Sequence, residues 1–310
     1  MRQDFSWLRL MKANNSLDYL ENEAVYVLRE VKALYKNPYI LFSGGKDSLC
    51  ILHLARKAFH PDPFPFSVLH IDTGHNFEET IVFRDKVIAS LGAKLQIRTV
   101  VDTIRAGRAV DEVGPYPSRN RLQAITLLDA IQELKIDCAI GGARRDEEKA
   151  RAKERFFSIR KPHGGWDPSN QRAELWNLYN HHLKESEQMR VFPLNNWTER
   201  DVWNYIQREK LEVPSLYFSH KRTCVFRSNG SCLPLSPYIR PQANDRVEEK
   251  TVRFRTVGDM TCTSPIFSDA ISVEMILDEI RTSRLSERGS RADDKFSASA
   301  MEDRKREGYF

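Results

Sequence analysis

The residues best suited to chemistry stand together at Ser43-Gly44-Gly45-Lys46-Asp47-Ser48, between the apolar run Pro38 to Phe42 and the helical pattern Lys46 to Phe59. Two glycines let a backbone turn tightly and bring N–H groups close to an anion. A helix start adds unpaired N–H donors and the positive end of the helix dipole. Lys46 supplies a full charge, and Ser43 and Ser48 supply hydroxyl donors. Together these point to a polyphosphate. The loop follows neither the Walker A pattern nor the G-x-G-x-x-G dinucleotide pattern. The plain alternative is a Gly-Gly turn capped by serine.

Two further segments sit at expected strand ends. His70-Ile71-Asp72-Thr73-Gly74-His75-Asn76-Phe77 follows the run Phe66 to Ile71. Ligands of open α/β sheets bind beyond the carboxyl ends of the strands, which puts Asp72 beside the phosphate loop. Asp72 could equally be a turn residue, and His75 a polar surface group. Gly141-Gly142-Ala143-Arg144-Arg145-Asp146 follows the run Asp137 to Ile140. Its glycines permit close approach of a ligand, and Arg144 and Arg145 offer fork-shaped donors to an oxyanion. From Arg144 to Arg160 there are seven basic and four acidic residues, a local +3. This reads as a tetrahedral-anion site, or as a solvated helix with pairs such as Glu147–Arg151.

The elements that must hold these loops alternate. Helical spacing runs over Leu17 to Tyr35, Lys46 to Phe59, Phe77 to Leu91 and Arg119 to Leu134; a further short apolar run covers Lys94 to Val101. Such alternation predicts a doubly wound α/β fold around a mainly parallel, five-stranded sheet. Thr198 and Asp201 predict a capped helix over Thr198 to Lys210, and Val273 to Ile280 opens a last one. Residues 1–215 read as the nucleotide-binding domain and 216–310 as an irregular C-terminal extension. With 310 residues, 41% hydrophobic and 29% charged, the chain can bury a sizeable core. A net charge of +5 excludes a polybasic nucleic-acid binder as the default. No run of about 18 apolar residues suggests a membrane span, and five scattered cysteines fit a reducing cytoplasm.

The loop SGGKDS resembles the pyrophosphate-binding loop of the N-type ATP pyrophosphatase superfamily, whose fold is that of the adenine nucleotide alpha hydrolases. YILFSGGKDS, HIDTGHNFEET, GGARRDEEKARAKERFFS, VFPLNNWTERDVWNYI, VRFRTVGD and the final RKREGYF are similar to the small-subunit family of bacterial heteromeric ATP sulfurylases. The resemblance spans residues 39–310. It implies the reaction of ATP with sulfate to give adenylyl sulfate and pyrophosphate, with Mg2+ accompanying ATP. It also implies a heterodimer with a large GTPase subunit. In this reading Ser43 to Ser48 grip the leaving phosphates, Lys46, Arg144 and Arg145 are catalytic, and Asp72, Gly141 and Gly142 complete the ATP site. Arg144, Arg145 and Arg151 are the sulfate candidates, Asp47 is the candidate Mg2+ contact, and adenine lies along the sheet edge, contacted by the backbone near Val68 to His70 and by Asp72.

Other readings remain at this point. A phosphoadenylyl-sulfate or adenylyl-sulfate reductase shares the loop but needs a nucleophilic cysteine in a C-terminal segment; Val225 and Phe226 after Cys224 break the usual pattern. A nucleic-acid modifier needs an RNA-binding module or a catalytic cysteine pair. His220, Cys224 and Cys232 match no common zinc spacing. Arg253 to Arg255 suit an amphipathic edge strand or, with the tail from Arg281, a docking surface for the GTPase subunit.

Overall fold

The computed structural model describes residues 6–162, 164–282 and Glu287. In chain order the elements are α1 (Ser6–Leu34), β1 (Pro38–Leu41), α2 (Lys46–Phe59), β2 (Ser67–Asp72), α3 (Glu78–Leu91), β3 (Leu95–Thr99) and α4 (Val100–Arg105). They continue with α5 (Leu122–Glu133), β4 (Cys138–Ile140), β5 (Phe157–Arg160), β6 (Gln188–Val191) and α6 (Glu199–Glu209). The last are β7 (His220–Phe226), β8 (Cys232–Pro234), β9 (Arg246–Arg253), β10 (Ile266–Phe267) and α7 (Val273–Thr282).

The central sheet runs β3-β2-β1-β4-β6-β5. The four strand runs read from the sequence are present as β1 to β4, β6 adds a fifth parallel strand that the sequence reading did not place, and β5 joins β6 antiparallel as a sixth. Alternation along β1 explains the two faces. Ile40 and Phe42 enter the large core with α1, α2 and α6, while Tyr39 packs with Leu69, Leu127 and Ala139 under α5. The chain leaves β1 outward through β2 and β3, then crosses back to β4 on the other side of β1. A crevice opens at such a switch point.

The C-terminal part is not irregular. It carries a four-stranded antiparallel sheet in the order β10-β9-β7-β8. Prolines and short strands hide that pattern in the sequence. β9 pairs on both sides, so it is not an edge strand. Arg253 is buried and pairs with Glu279 on α7 at 2.6 Å; Arg255 is buried against Glu199. Both arginines are therefore spent inside the fold, not offered to a docking partner. The remaining docking expectation, the tail from residue 283 on, lies outside the described residues apart from Glu287. Thr198 and Asp201 form the expected capping box of α6. The run Arg144 to Arg155 is not a solvated α-helix but turns and a 3-10 helix over Lys149–Lys153. Among the described residues no helix is long and apolar enough to cross a membrane.

Candidate active site

The loop after β1 lands where the crevice opens. Gly44 has φ +78°, and a Cβ there would stand 2.4 Å from the Thr80 methyl group, so only glycine lets the turn press onto α3. The first turn of α2 is held from both sides. Ser48 donates to the Gly45 carbonyl at 3.0 Å, and the Lys46 N–H donates to the Tyr217 hydroxyl at 2.9 Å. Gly141 and Gly142 extend β4 beside it. The Gly141 N–H donates to the Val191 carbonyl at 2.8 Å, which continues the sheet. A Cβ on Gly142 would lie 3.0 Å from Asp47 Cβ and 3.1 Å from Ser48 N. That glycine lets α2 approach, where the sequence suggested approach of a ligand.

Lys46, Asp47, Arg144 and Glu287 form one ionic cluster. Lys46 Nζ lies 3.0 Å from Asp47 Oδ2, and Arg144 Nε lies 2.6 Å from Asp47 Oδ1. The Glu287 carboxylate bridges the two cations, one oxygen on Lys46 and the other on Arg144. Lys46 and Arg144 are fully buried. Burial opposes their charges, but the two carboxylates outweigh it and hold both cations protonated. Burial also pushes Asp47 up, yet Arg144 and Lys46 prevail and hold its carboxyl down at about 2. Both Asp47 oxygens are thus committed to cations. The set does not suit Asp47 as a Mg2+ ligand, because a metal would have to displace Lys46 or Arg144.

The cluster borders a cavity of about 280 Å³ at the ends of β1 and β4. This is near the lower end for small-ligand pockets, with Glu287 on its wall. The cavity has three kinds of lining. The phosphate-loop end carries Ser43, Gly45, Lys46 and Ser48. An apolar floor is made by Leu41, Leu69, Ile71 and Leu127, with the amides of Asn120 and Gln123 beside it. The third end carries Glu147, Arg151 and Arg190. Arg151 pairs with Glu147, as the i,i+4 spacing suggested.

Two expected site residues lie elsewhere. Arg145 turns away: Nε donates to the Glu154 carbonyl at 3.0 Å, Nη1 donates to Asn196 Oδ1 at 2.6 Å, and the guanidinium covers the Phe156 ring. Arg144 and Arg145 follow β4 in a turn and go to different partners, Arg144 to Asp47 and Glu287 and Arg145 to Glu154 and Asn196. Asp72 is not a lining residue; its Oδ1 accepts the Gly74 N–H at 2.7 Å and closes a turn. Val68 joins the core on the α2 side, and His70 turns its Nδ1 to the Phe42 carbonyl at 2.8 Å. Their neighbours Leu69 and Ile71 face the cavity instead. His75 is buried, stacked on Tyr238 with ring centroids 3.9 Å apart. Among the described residues no three metal-ligating side chains converge, and His220 binds Phe218 and Arg222.

Tyr217, Arg190 and Glu287 were not singled out from the sequence, nor were Thr256, Val257 and Gly258 of VRFRTVGD, which also line the cavity. One signal was available. A charged residue between Met189 and Val191 interrupts an apolar strand.

A family model described as Phosphoadenosine phosphosulfate reductase domain matches residues 37–265. Sulfate adenylyltransferase subunit 2 of Mycolicibacterium gilvum (strain PYR-GCK) is 54% identical over 292 residues, covering 94% of this chain and 93% of that one. The chain belongs to the sulfate adenylyltransferase subunit 2 family. The protein of the same name from Streptomyces lavendulae is also 54% identical, over 95% of this chain and 92% of its own. Membership makes the chain an enzyme subunit, a transferase of sulfate assimilation. Among solved structures, phosphoadenylyl-sulfate reductase from Candida auris in a phosphate complex is 19% identical with a TM-score of 0.42, over 64% of this chain and 88% of that one. FMN adenylyltransferase from Candida glabrata in complex with ATP is 15% identical with a TM-score of 0.46, over 91% and 90%.

Proposed function

We propose that this subunit transfers the adenylyl group of ATP to sulfate, releasing pyrophosphate, and that a large GTPase subunit drives the step. The observation that carries this reading is Lys46, buried on the cavity wall at the glycine loop, with Arg144 behind it in the same ionic cluster. A sulfate oxygen attacks the α-phosphorus, the Pα–O–Pβ bond breaks, and the electron pair leaves on pyrophosphate. Sulfate carries no proton to remove near neutral pH, so positioning and charge neutralisation replace base catalysis. Lys46 and the start of α2 neutralise the leaving phosphates. The adenine ring lies on the floor of Leu41, Ile71 and Leu127, with Asn120 and Gln123 available to its polar edge. Mg2+ enters as part of the substrate, complexed to ATP.

The reductase reading is disfavoured by the cysteines. All five lie among the described residues, and none lines the cavity. The adenylyl product is high in energy, and the chain has no Walker A loop of its own, which is why coupling is assigned to a partner. The test is sulfate-dependent pyrophosphate release from ATP by the chain co-expressed with a GTPase subunit. Lys46→Ala is expected to abolish ATP/pyrophosphate exchange. Sulfate-independent release, or near-normal turnover in that variant, overturns the reading.

A further inference from the structure

Arg190 is a strand residue that lines the cavity and whose guanidinium has no partner among the described residues. It sits on β6 between Met189 and Val191, which both enter the core on the α2 side. Alternation sends Arg190 to the opposite face, where its register partners are Ala139 on β4 and Ser158 on β5. The residue is 1% exposed. None of its three guanidinium nitrogens has a hydrogen-bond partner among the described residues. Its charged neighbour is Arg160, which has Glu154 Oε2 at 3.1 Å as its own counter-charge. Burial first, then Arg160, push the Arg190 guanidinium down to about 9.

A buried cation without a counter-ion is costly, and buried polar groups are almost always satisfied. This cost is borne at a place that opens onto the cavity. The strand order fixes where. β6 lies two strands from β1, roughly 10 Å across the sheet from the strand that carries the phosphate loop. The loop end already holds Lys46, with Arg144 in the same ionic cluster. The other end offers Arg190.

We infer that Arg190 binds the acceptor, a tetrahedral dianionic oxyanion, at a subsite separate from the phosphate loop. The identity of that anion as the adenylyl acceptor rests on the reaction proposed above; the existence of the subsite does not. The guanidinium takes two oxygens of the anion, and the anion supplies the counter-charge that the described residues do not. Arg190 therefore replaces Arg145 in the set of acceptor residues.

Two measurements test this on Arg190→Met and Arg190→Lys. The first is thermal unfolding of the full chain in sodium sulfate against sodium chloride at equal ionic strength. Removing an unpaired buried charge leaves Arg190→Met at least as stable as wild type in chloride. Its stabilisation by sulfate disappears, and Arg190→Lys keeps part of it. The second is steady-state kinetics of the complex with the GTPase subunit. Arg190→Met raises the KM for sulfate at least tenfold with the KM for ATP within twofold, and Arg190→Lys falls between. A folded variant with the wild-type sulfate shift and sulfate KM overturns the subsite. If Arg190→Met does not fold, Arg190→Lys alone decides, and an unchanged sulfate response overturns the proposal. If sulfate stabilises wild type but not Arg190→Met while no sulfate-dependent turnover occurs, the subsite stands and the reaction falls.

Discussion

Glu287→Gln tests whether the cavity's cations are shared between the protein and its anionic ligand. Lys46 and Arg144 are balanced by Asp47 and Glu287, two positive charges against two negative. The substitution keeps the side-chain shape and removes one negative charge. Leaving a buried charge without its partner costs about 3–5 kcal/mol. At roughly 2 °C per kcal/mol for a chain of this size, the variant should melt about 6–10 °C lower in the absence of anions. Inorganic pyrophosphate then meets the same two cations with no carboxylate to displace. If it recovers half of about 4 kcal/mol, its affinity rises on the order of 30-fold, at about 1.4 kcal/mol per factor of ten. Calorimetric titration of wild type and Glu287→Gln with pyrophosphate reads this directly, and thermal unfolding with pyrophosphate shows whether the lost stability returns. Equal or weaker pyrophosphate binding by the folded variant refutes the competition, because the carboxylate and the phosphates would then occupy different places.

Gly142→Ala puts a methyl group 3.0 Å from Asp47 Cβ and 3.1 Å from Ser48 N, and both neighbours belong to the backbone-anchored first turn of α2. It should lower stability by about 1–3 kcal/mol in urea unfolding and weaken nucleotide binding with it; a variant of unchanged stability would show that α2 yields freely. Asp47 supplies a pH signature. Its carboxyl is at about 2 in the folded protein against an ordinary 3.8. A depressed carboxylate stabilises the fold above the unfolded value and loses that contribution as pH falls toward the folded value, about 2 kcal/mol between pH 4 and pH 2. Asp47→Asn should be less stable than wild type at neutral pH, and the gap should narrow over that acid range. A gap constant with pH would show that Asp47 is not paired as described.

The fold of the first 210 residues was legible because its signals are local. Helical spacing, short apolar runs and the Thr198–Asp201 cap each read out within a dozen residues, and α2 begins and ends at Lys46 and Phe59 as the pattern suggests. The short α4, the antiparallel β5 and the parallel β6 were missed, since none has a periodic run long enough to recognise. The C-terminal sheet was missed for a different reason. Its long strands carry consecutive charges, Lys221-Arg222 and Glu248-Glu249-Lys250, that break any two-residue alternation, and Pro234, Pro237 and Pro241 stand between them, so composition reads as loop while the ladder from His220 to Phe226 against Arg246 to Val252 is long-range.

By itself the sequence determined the chemistry at hand: a glycine loop with one lysine before a helix, a second Gly-Gly at a strand end, and arginines after it. Those follow from residue type and neighbours along the chain. Which arginine faces the ligand was decided only in three dimensions. The turn after β4 sends Arg144 inward to Asp47 and Glu287 and Arg145 outward to Asn196. Sheet order brings Arg190 to the cavity from 144 residues beyond Lys46, and the fold of the C-terminal part brings Tyr217 and Glu287 to the same helix start. Charge balance in a buried site is a property of everything that converges on it, and convergence across such separations leaves no periodic trace along the chain.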